Sequence, residues 1–441
     1  MKHKLWAVLL GAAVIGTLVT DRLVLDNRAL LTDFRAFYCA GAVRDVGANP
    51  YLVEPLRRCE DQSFGIGQPP APGIVVPAPL PGYDLALFEV VAKLPFPVAA
   101  LVWELLSTGA LIATIILLTK LTELEPIVIA ATLLLSVGVA SLFFGQLVPL
   151  SIALLCAAML CVTRDRPRLA ALFAVLSLAE PHLGAGAVLA LFLFVPRARV
   201  VVLLAGSALL VLSMATNGIA GEMEYFKEVV PAHVLSEVNN DDQFSLTYLA
   251  KRFGQTDGVA VALGECSYIA MLALGLLCAG RIAKRMNEPA LLVAVPTAFL
   301  LLGGPFVHIH QIAAALPAAL LLFARCPERR RIFGIAAFLL AIPWIHIFLL
   351  LQFGLALAIV SLLLSAQLLR LPLAGQAGVA FASLAIVIAG NILFVPPPPL
   401  LAALSISASV PAEAVWRLYI DARHTSNGAL FLALKMPTWL A

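Results

Sequence analysis

Five short polar clusters interrupt an otherwise apolar sequence: Asp33-Phe34 with Tyr38, Gly145-Gln146, Glu180-Pro181-His182, Gln243-Phe244-Ser245 with Lys251-Arg252, and Pro305 to His310 followed by Gln311. Asp33 lies in Thr32-Asp33-Phe34-Arg35-Ala36-Phe37-Tyr38-Cys39-Ala40-Gly41. An aspartate there can act as a catalytic base or can cap the helix that follows, and position alone leaves both readings open. Gln146, at a turn, can hydrogen-bond a polar ligand without the cost of a buried charge, or can cap the turn itself. His182, Lys251 and Arg252 are candidates for holding an anion, since a phosphate is bound best by several donors in a partly dehydrated site. Lys251 and Arg252 serve equally well as solvated or lipid-headgroup contacts, and Glu180 can pair with His182. His308 and His310 are two apart, so on a helix they point roughly 200° apart and cannot share a metal ion as an i, i+4 pair does. No other cluster supplies ligands, so no metal site is expected.

The elements that must position these groups are membrane helices. The 441 residues are 61% hydrophobic and 12% charged, against about 25% charged for an average soluble domain. Mean hydropathy is +0.98. This composition excludes a set of water-soluble domains, and the solid rather than alternating apolar runs exclude a β-barrel. Runs long enough to approach the roughly 20 residues of a span fall at about 5–25, 97–119, 127–144, 147–163, 168–180, 182–196, 199–216, 258–280, 289–304, 306–324, 332–351, 354–369 and 373–395. The reading is an all-α polytopic membrane protein of about 13 transmembrane helices, 11 to 13, with 168–180 and 182–196 short enough to form a broken or re-entrant pair. Residues 1–395 form the membrane domain, with outer segments at 26–96 and 217–257, and 396–441 form an outer tail. No internal repeat is visible.

Orientation follows from charge. With Lys2 and Lys4 inside, the alternating connections place Lys120, Arg164, Arg166, Arg168, Arg197, Arg199, Arg281, Lys284, Arg285, Arg325, Arg329, Arg330, Arg331 and Arg370 on the same side. That is 16 of the 29 Lys and Arg but only five of the 26 acids. The positive-inside rule therefore puts the N-terminus in the cytoplasm, both long loops outside, and all five polar clusters at the outer ends of helices. Asp21 and Arg22 follow the first run where a signal-peptide cleavage site would need small residues, so it reads as an uncleaved anchor. Within the first outer segment, short helices are expected, the last of them at 83–94, whose spacing suits a surface-lying helix or an ordinary connecting one. Cys39 and Cys59 both lie in that segment and either form a disulfide or remain two buried thiols.

In order and content, the clusters resemble the polytopic glycosyltransferases of the GT-C superfamily, in particular family 87, which includes polyprenyl-phosphate-mannose-dependent mannosyltransferases. The resemblance runs through Asp33-Phe34, Tyr38, Ala40-Gly41 and Asn49-Pro50-Tyr51, then Tyr83 to Trp103, the Gly145-Gln146 turn, Gln243-Phe244-Ser245-Leu246 and Pro305 to His310. It covers roughly residues 30–325. Glu180-Pro181 stands where the family commonly has Lys-Pro, and Phe306-Val307-His308-Ile309-His310 where it has a Trp-x-His-His element.

The resemblance implies a GT-C-like bundle with a periplasmic first loop, working on the outer face of the cytoplasmic membrane. It implies metal-independent, inverting hexosyl or mannosyl transfer from a polyprenyl-phosphate-linked donor to a lipid or glycan acceptor, with no cofactor and no nucleic acid. Asp33 would be the general base. Gln146, His182, Gln243, Lys251, Arg252, His308 and His310 would supply contacts to donor phosphate and sugar. Two further classes stay open: a transporter or flippase of a lipid-linked saccharide, and a non-catalytic subunit of an envelope assembly.

Overall fold

The computed structural model describes residues 31–63, 74–135, 140–344, 351–393, 409–423 and 428–441. The expected first span at 5–25, with Lys2 and Lys4, lies outside the described residues, as does most of the linker after 393. Among the described residues the chain is all-helical, without strands. The first outer segment forms α1 (Thr32–Asp45), α2 (Val53–Gln62) and α3 (Gly82–Val91); then follow α4 (Phe96–Thr122), α5 (Pro126–Leu133), α6 (Ala140–Phe144), α7 (Val148–Thr163), α8 (Pro167–Leu176) and α9 (Pro181–Phe194). The chain continues through α10 (Arg199–Glu224), α11 (Val230–Ser236), α12 (Leu246–Arg252), α13 (Asp257–Met286), α14 (Leu291–Gly303), α15 (Leu316–Arg325) and α16 (Arg330–Ala341). It closes with α17 (Leu351–Gln367), α18 (Leu373–Leu393), α19 (Ala412–Arg423) and α20 (Gly428–Leu440).

Proline sets many of the starts: α4, α5, α7, α8 and α9 each carry one in the first turn. There the missing N–H would have had no partner and the fixed φ is already helical. Asn287 ends α13 in the left-handed conformation, φ 52°, and turns the chain into α14. The division of α8 from α9 falls where the sequence predicts it, at a short 3-10 turn, Ser177–Ala179, followed by Glu180-Pro181.

Among the described residues, three helical stretches are long and apolar enough to cross a membrane: Phe96–Thr122, Pro196–Ser236 and Asp257–Met286; a fourth span results if Ile309–Arg325 and Pro327–Ala341, bent by 112°, count as one. Their apolar side chains point outward, among them Leu105, Ile112, Leu204, Val211, Ile269 and Leu277. That arrangement is the reverse of a soluble protein and fits a membrane-embedded one. The described residues also hold six shorter apolar helices. Helix length alone therefore does not reproduce the thirteen spans expected from the apolar runs, because several runs fold as helices too short to cover about 30 Å at 1.5 Å per residue. The 41-residue stretch Pro196–Ser236 is about twice a span. Gly218, φ 71°, breaks it, and its apolar part precedes that glycine, whereas Glu222, Glu224, Lys227, Glu228 and His233 follow it.

Two buried clusters form. The larger is the interior of the helix bundle. The smaller joins α1, α2 and α3 to Trp103, Tyr225 and the C-terminal α19 through Ala412, Val415 and Tyr419. The helix at 83–94, open in the sequence between a surface-lying and a connecting one, is packed as α3, with Leu85 and Phe88 wholly buried and Leu87 and Val90 exposed. Gly41 lets it approach α1, since a Cβ there would overlap the Phe88 backbone. The structure bonds Cys39 to Cys59, Cα–Cα 5.5 Å, tying α1 to α2.

Candidate active site

Asp33 occupies the first turn of α1, where the helix dipole favours a carboxylate. The N-cap position is taken by Leu31, so Asp33 sits inside the first turn rather than at the cap. Leu31, at φ 57°, precedes the helix and donates its N–H to the Phe143 carbonyl at 2.6 Å. This ties the start of α1 to the turn that carries Gln146. Gln146 Nε2 donates directly to Asp33 Oδ2. The turn is rigid for local reasons. Gly145 has φ 73°, a conformation most residues avoid, and a Cβ on it would lie 2.5 Å from the Phe34 Cβ. The Gly145 carbonyl accepts from Trp103 Nε1 at 2.8 Å, and the Trp103 ring stacks on Phe34 at 5.4 Å.

The second half of the site is built by pairing the segment after α11 with the segment after α14. Phe244 donates its N–H to the Val307 carbonyl at 2.6 Å, and Gln243 bridges to His308. The Gln243 side chain accepts from Val307 N–H at Oε1, 2.7 Å, which fixes the amide so that Nε2 faces His308 Nε2 at 2.9 Å and Glu237 Oε2 at 3.2 Å. His308 Nε2 is 3.1 Å from the same carboxylate oxygen. The extended His308 precedes the 3-10 turn Ile309–Ala315, to which it is tied by its N–H donating to Gln311 Oε1 at 2.9 Å.

Because His308 is extended rather than helical, it and His310 do not diverge as helical spacing predicts. Their rings stack at 5.3 Å and 9°. Phe306 gathers the remaining imidazoles, with His182 at 5.4 Å, His233 at 5.1 Å and His308 at 6.1 Å between ring centroids. His182 Nδ1 lies 3.7 Å from Glu180 Oε2. Among the described residues no group of three His, Cys, Asp or Glu side chains has metal-binding geometry.

The two halves share one electrostatic environment. Burial pushes the Asp33 carboxyl up to about 6; the Gln146 bond and the charges of His308 and His233 work against the rise, and Glu237 adds to it. Burial acts in the same direction on Glu237, but the His308 and His233 charges and the hydrogen bonds from His308 and Asn240 overcome it and hold that carboxyl well below its usual range. His233 is pushed up to about 9, since the Glu413 carboxylate, joined by Glu237 and Asp33, outweighs burial. The arrangement is thus a carboxyl of near-neutral affinity for protons facing an imidazole-rich wall, which is what proton abstraction beside a bound anion requires.

Asp33, Gln146, Gln243, His308, His310 and His182 are therefore brought together. Lys251 and Arg252 are engaged elsewhere: Lys251 pairs with Asp257, and Arg252 pairs with Asp241 and stacks over Tyr248 at 4.7 Å. Sequence reasoning missed Glu237, His233 and Glu413. The i, i+4 spacing of His233 and Glu237, which sets both on one helix face, is the signal that could have found the first two. For Glu413, whose Oε2 is 3.2 Å from His233 Nδ1, no local signal exists.

The model of glycosyltransferase family 87 matches residues 81–305. The match takes in Gln146, His182, Gln243, Lys251 and Arg252, and leaves Asp33, His308, His310 and the C-terminal helices outside it. No curated protein and no solved structure matches the chain.

Proposed function

The chain belongs to glycosyltransferase family 87, and from that premise we propose that it is a GT-C-type enzyme transferring a hexose, mannose by resemblance, from a polyprenyl-phosphate donor to a lipid or glycan hydroxyl at the outer face of the cytoplasmic membrane. Asp33 is the general base. The observation that carries this reading is the placement of its half-buried carboxyl, hydrogen-bonded by Gln146 and electrostatically coupled to His308 and His233.

An acceptor hydroxyl loses its proton only far above neutral pH, so a carboxylate must take that proton as the oxygen attacks C1. The new C1–O bond forms opposite the phosphate, the C1–O bond to phosphate breaks with inversion, and polyprenyl phosphate departs with the electron pair. The leaving phosphate needs compensating donors, and His308, His310 and His182 supply them in this reading, with Gln146 and Gln243 nearer the sugars. Since phosphate leaves as a stable anion, the reading requires no protonating acid and no metal. A carboxyl near 6 is a better base than an ordinary aspartate yet remains mostly ionised at pH 7.5.

The test is incubation of the purified protein with labelled polyprenyl-phosphate sugars and a membrane lipid extract. The wild type forms a labelled product, and Asp33→Asn loses at least about a thousandfold in kcat while still binding donor. Substantial transfer by Asp33→Asn excludes Asp33 as the base. Sugar movement into liposomes without a covalent product replaces the enzyme reading with a transporter.

A further inference from the structure

We propose that Glu237 is a positioning residue for His308 and that the C-terminal helices complete the site, Trp416 on α19 holding Glu237 in place. The proposal rests on the transfer reading and adds to it a part of the chain that lies beyond the family match.

Glu237 is 3% exposed, and both of its oxygens are occupied. Oε2 accepts from Asn240 Nδ2 at 2.6 Å and Gln243 Nε2 at 3.2 Å and faces His308 Nε2 at 3.1 Å; Oε1 accepts from Trp416 Nε1 at 2.6 Å. A carboxylate held at one oxygen can still swing about its last bond, whereas one held at both has a fixed plane. The Gln243 amide cannot turn to replace it, because Val307 N–H holds Oε1. Of the two groups at His308 Nε2, the Gln243 amide nitrogen at 2.9 Å is itself a donor, so an N–H on that ring nitrogen finds its acceptor in Glu237, whose other oxygen Trp416 holds.

The rest of the C-terminal segment is attached to the same wall. Glu413 Oε2 accepts from Ser236 Oγ at 3.1 Å and meets His233 Nδ1 at 3.2 Å. Lys435, wholly buried, donates to the Gln243 carbonyl, and Trp439 Nε1 donates to the Phe244 carbonyl at 2.9 Å. At its start the segment is hydrogen-bonded to the first outer segment: Val53 N–H to the Val410 carbonyl at 3.0 Å and Ala412 N–H to the Tyr51 carbonyl at 2.9 Å. The tail thus clasps the outer segment that bears Asp33 and the one that bears Gln243. A fixed imidazole spares the enzyme the cost of ordering it at each turnover.

The test uses the full-length protein and two readouts. The first needs no substrate: the rate at which diethyl pyrocarbonate modifies His308, quantified by peptide mass spectrometry. Trp416→Phe keeps a ring beside Tyr419, 5.1 Å away, and removes only the N–H. Glu237→Gln serves as the second variant. Each is expected to speed modification of His308 by about tenfold, the worth of one hydrogen bond to a charged group. The second readout is transfer with the labelled donor, in which kcat falls about tenfold with the donor KM unchanged. Arg417→Gln, which removes the ion pairs to Asp257 at the start of α13 and to Asp421 within α19, controls for mere loosening and leaves His308 at its wild-type rate. An unchanged His308 rate in both test variants overturns the proposal, as does equal acceleration in Arg417→Gln. Absence of transfer by the wild type would strike the enzyme reading alone, since the modification rates decide this proposal without it.

Discussion

At the scale of the residue, the consequences of burying Asp33 can be read in two measurements. Its carboxyl ordinarily titrates at 3.8 and is pushed up to about 6 in the folded protein. In the proposed role of base it works only when ionised, so kcat should fall tenfold per pH unit below about 6 and level off above it. Stability runs the other way. Below the ordinary value both folded and unfolded chains hold the proton and nothing is lost. As pH rises from 4 through 6 the unfolded chain releases it first, and the folded state is penalised by an amount that becomes constant above 6. An asparagine side chain in its place would accept the same Gln146 hydrogen bond without the charge. Asp33→Asn is therefore expected to raise the thermal midpoint by a few degrees at pH 8 and to leave it unchanged at pH 4, measured by differential scanning fluorimetry. An equal shift at both values would mean that the charge is not what burial penalises. Asp33 and Gln146 were legible in the sequence because a carboxylate and an amide at the ends of apolar runs stand out against their neighbours. Glu237 is marked in the sequence only by its i, i+4 spacing from His233, and no local pattern points to its partner Trp416, 179 residues away.

At the scale of the element, a disulfide and an ion pair tie down α1, the helix that bears the proposed base. Cys39 on α1 is bonded to Cys59 on α2, and the next residue, Glu60, lies 3.6 Å from the wholly buried Arg35, two positions from Asp33. Burial pushes the Glu60 carboxyl up to about 8 and the Arg35 guanidinium down, so each depends on the other to stay charged. The bond closes a loop of sequence separation 20, for which chain entropy gives about 3 kcal/mol. Replacing both cysteines with serine should lower the thermal midpoint accordingly, and added reductant should destabilise the wild type while leaving the double variant unmoved. Reductant-insensitive melting of the wild type would argue against the bond. The sequence placed both cysteines in one outer segment but left bond and free thiols as equals, since pairing depends on α1 and α2 lying side by side. Helix number was the least legible feature. Apolar runs and their prolines reveal where helices form and break, as at Ser177–Glu180 and across Cys326-Pro327, whereas how many of the resulting helices are long enough to span depends on where each one ends.

At the scale of the molecule, the connections sort into two groups that keep to their own kind. Arg197 pairs with Asp165, and Arg325 reaches Glu123, Glu288 and the Leu121 carbonyl. These are loops the charge count assigns together to the inner side. In the other group, Arg44 bonds the Thr216 carbonyl, Asn49 bonds Glu224, Asn239 bonds Asp421 and Arg417 pairs with Asp257. These join the two long loops to each other and to the C-terminal helices. The grouping uses side-chain contacts and the earlier assignment used only charge along the sequence, so the agreement supports a bundle with all its large extramembrane mass at one end. Which end faces the cytoplasm is then the one remaining choice, and the arginine-rich end should. In a variant whose free cysteines are replaced, a single cysteine at Gln255, exposed beside Asp257, should react with a membrane-impermeant maleimide in intact spheroplasts. One at Arg329, exposed in the arginine cluster, should react only in inverted vesicles. The reverse pattern would put Asp33 and its imidazoles on the cytoplasmic face, where nucleotide-linked sugars are made, and a lipid-phosphate donor would lose its rationale. Labelling of both positions from one side would break the two-ended grouping itself, and with it the argument that residues from the two long loops meet at a single centre.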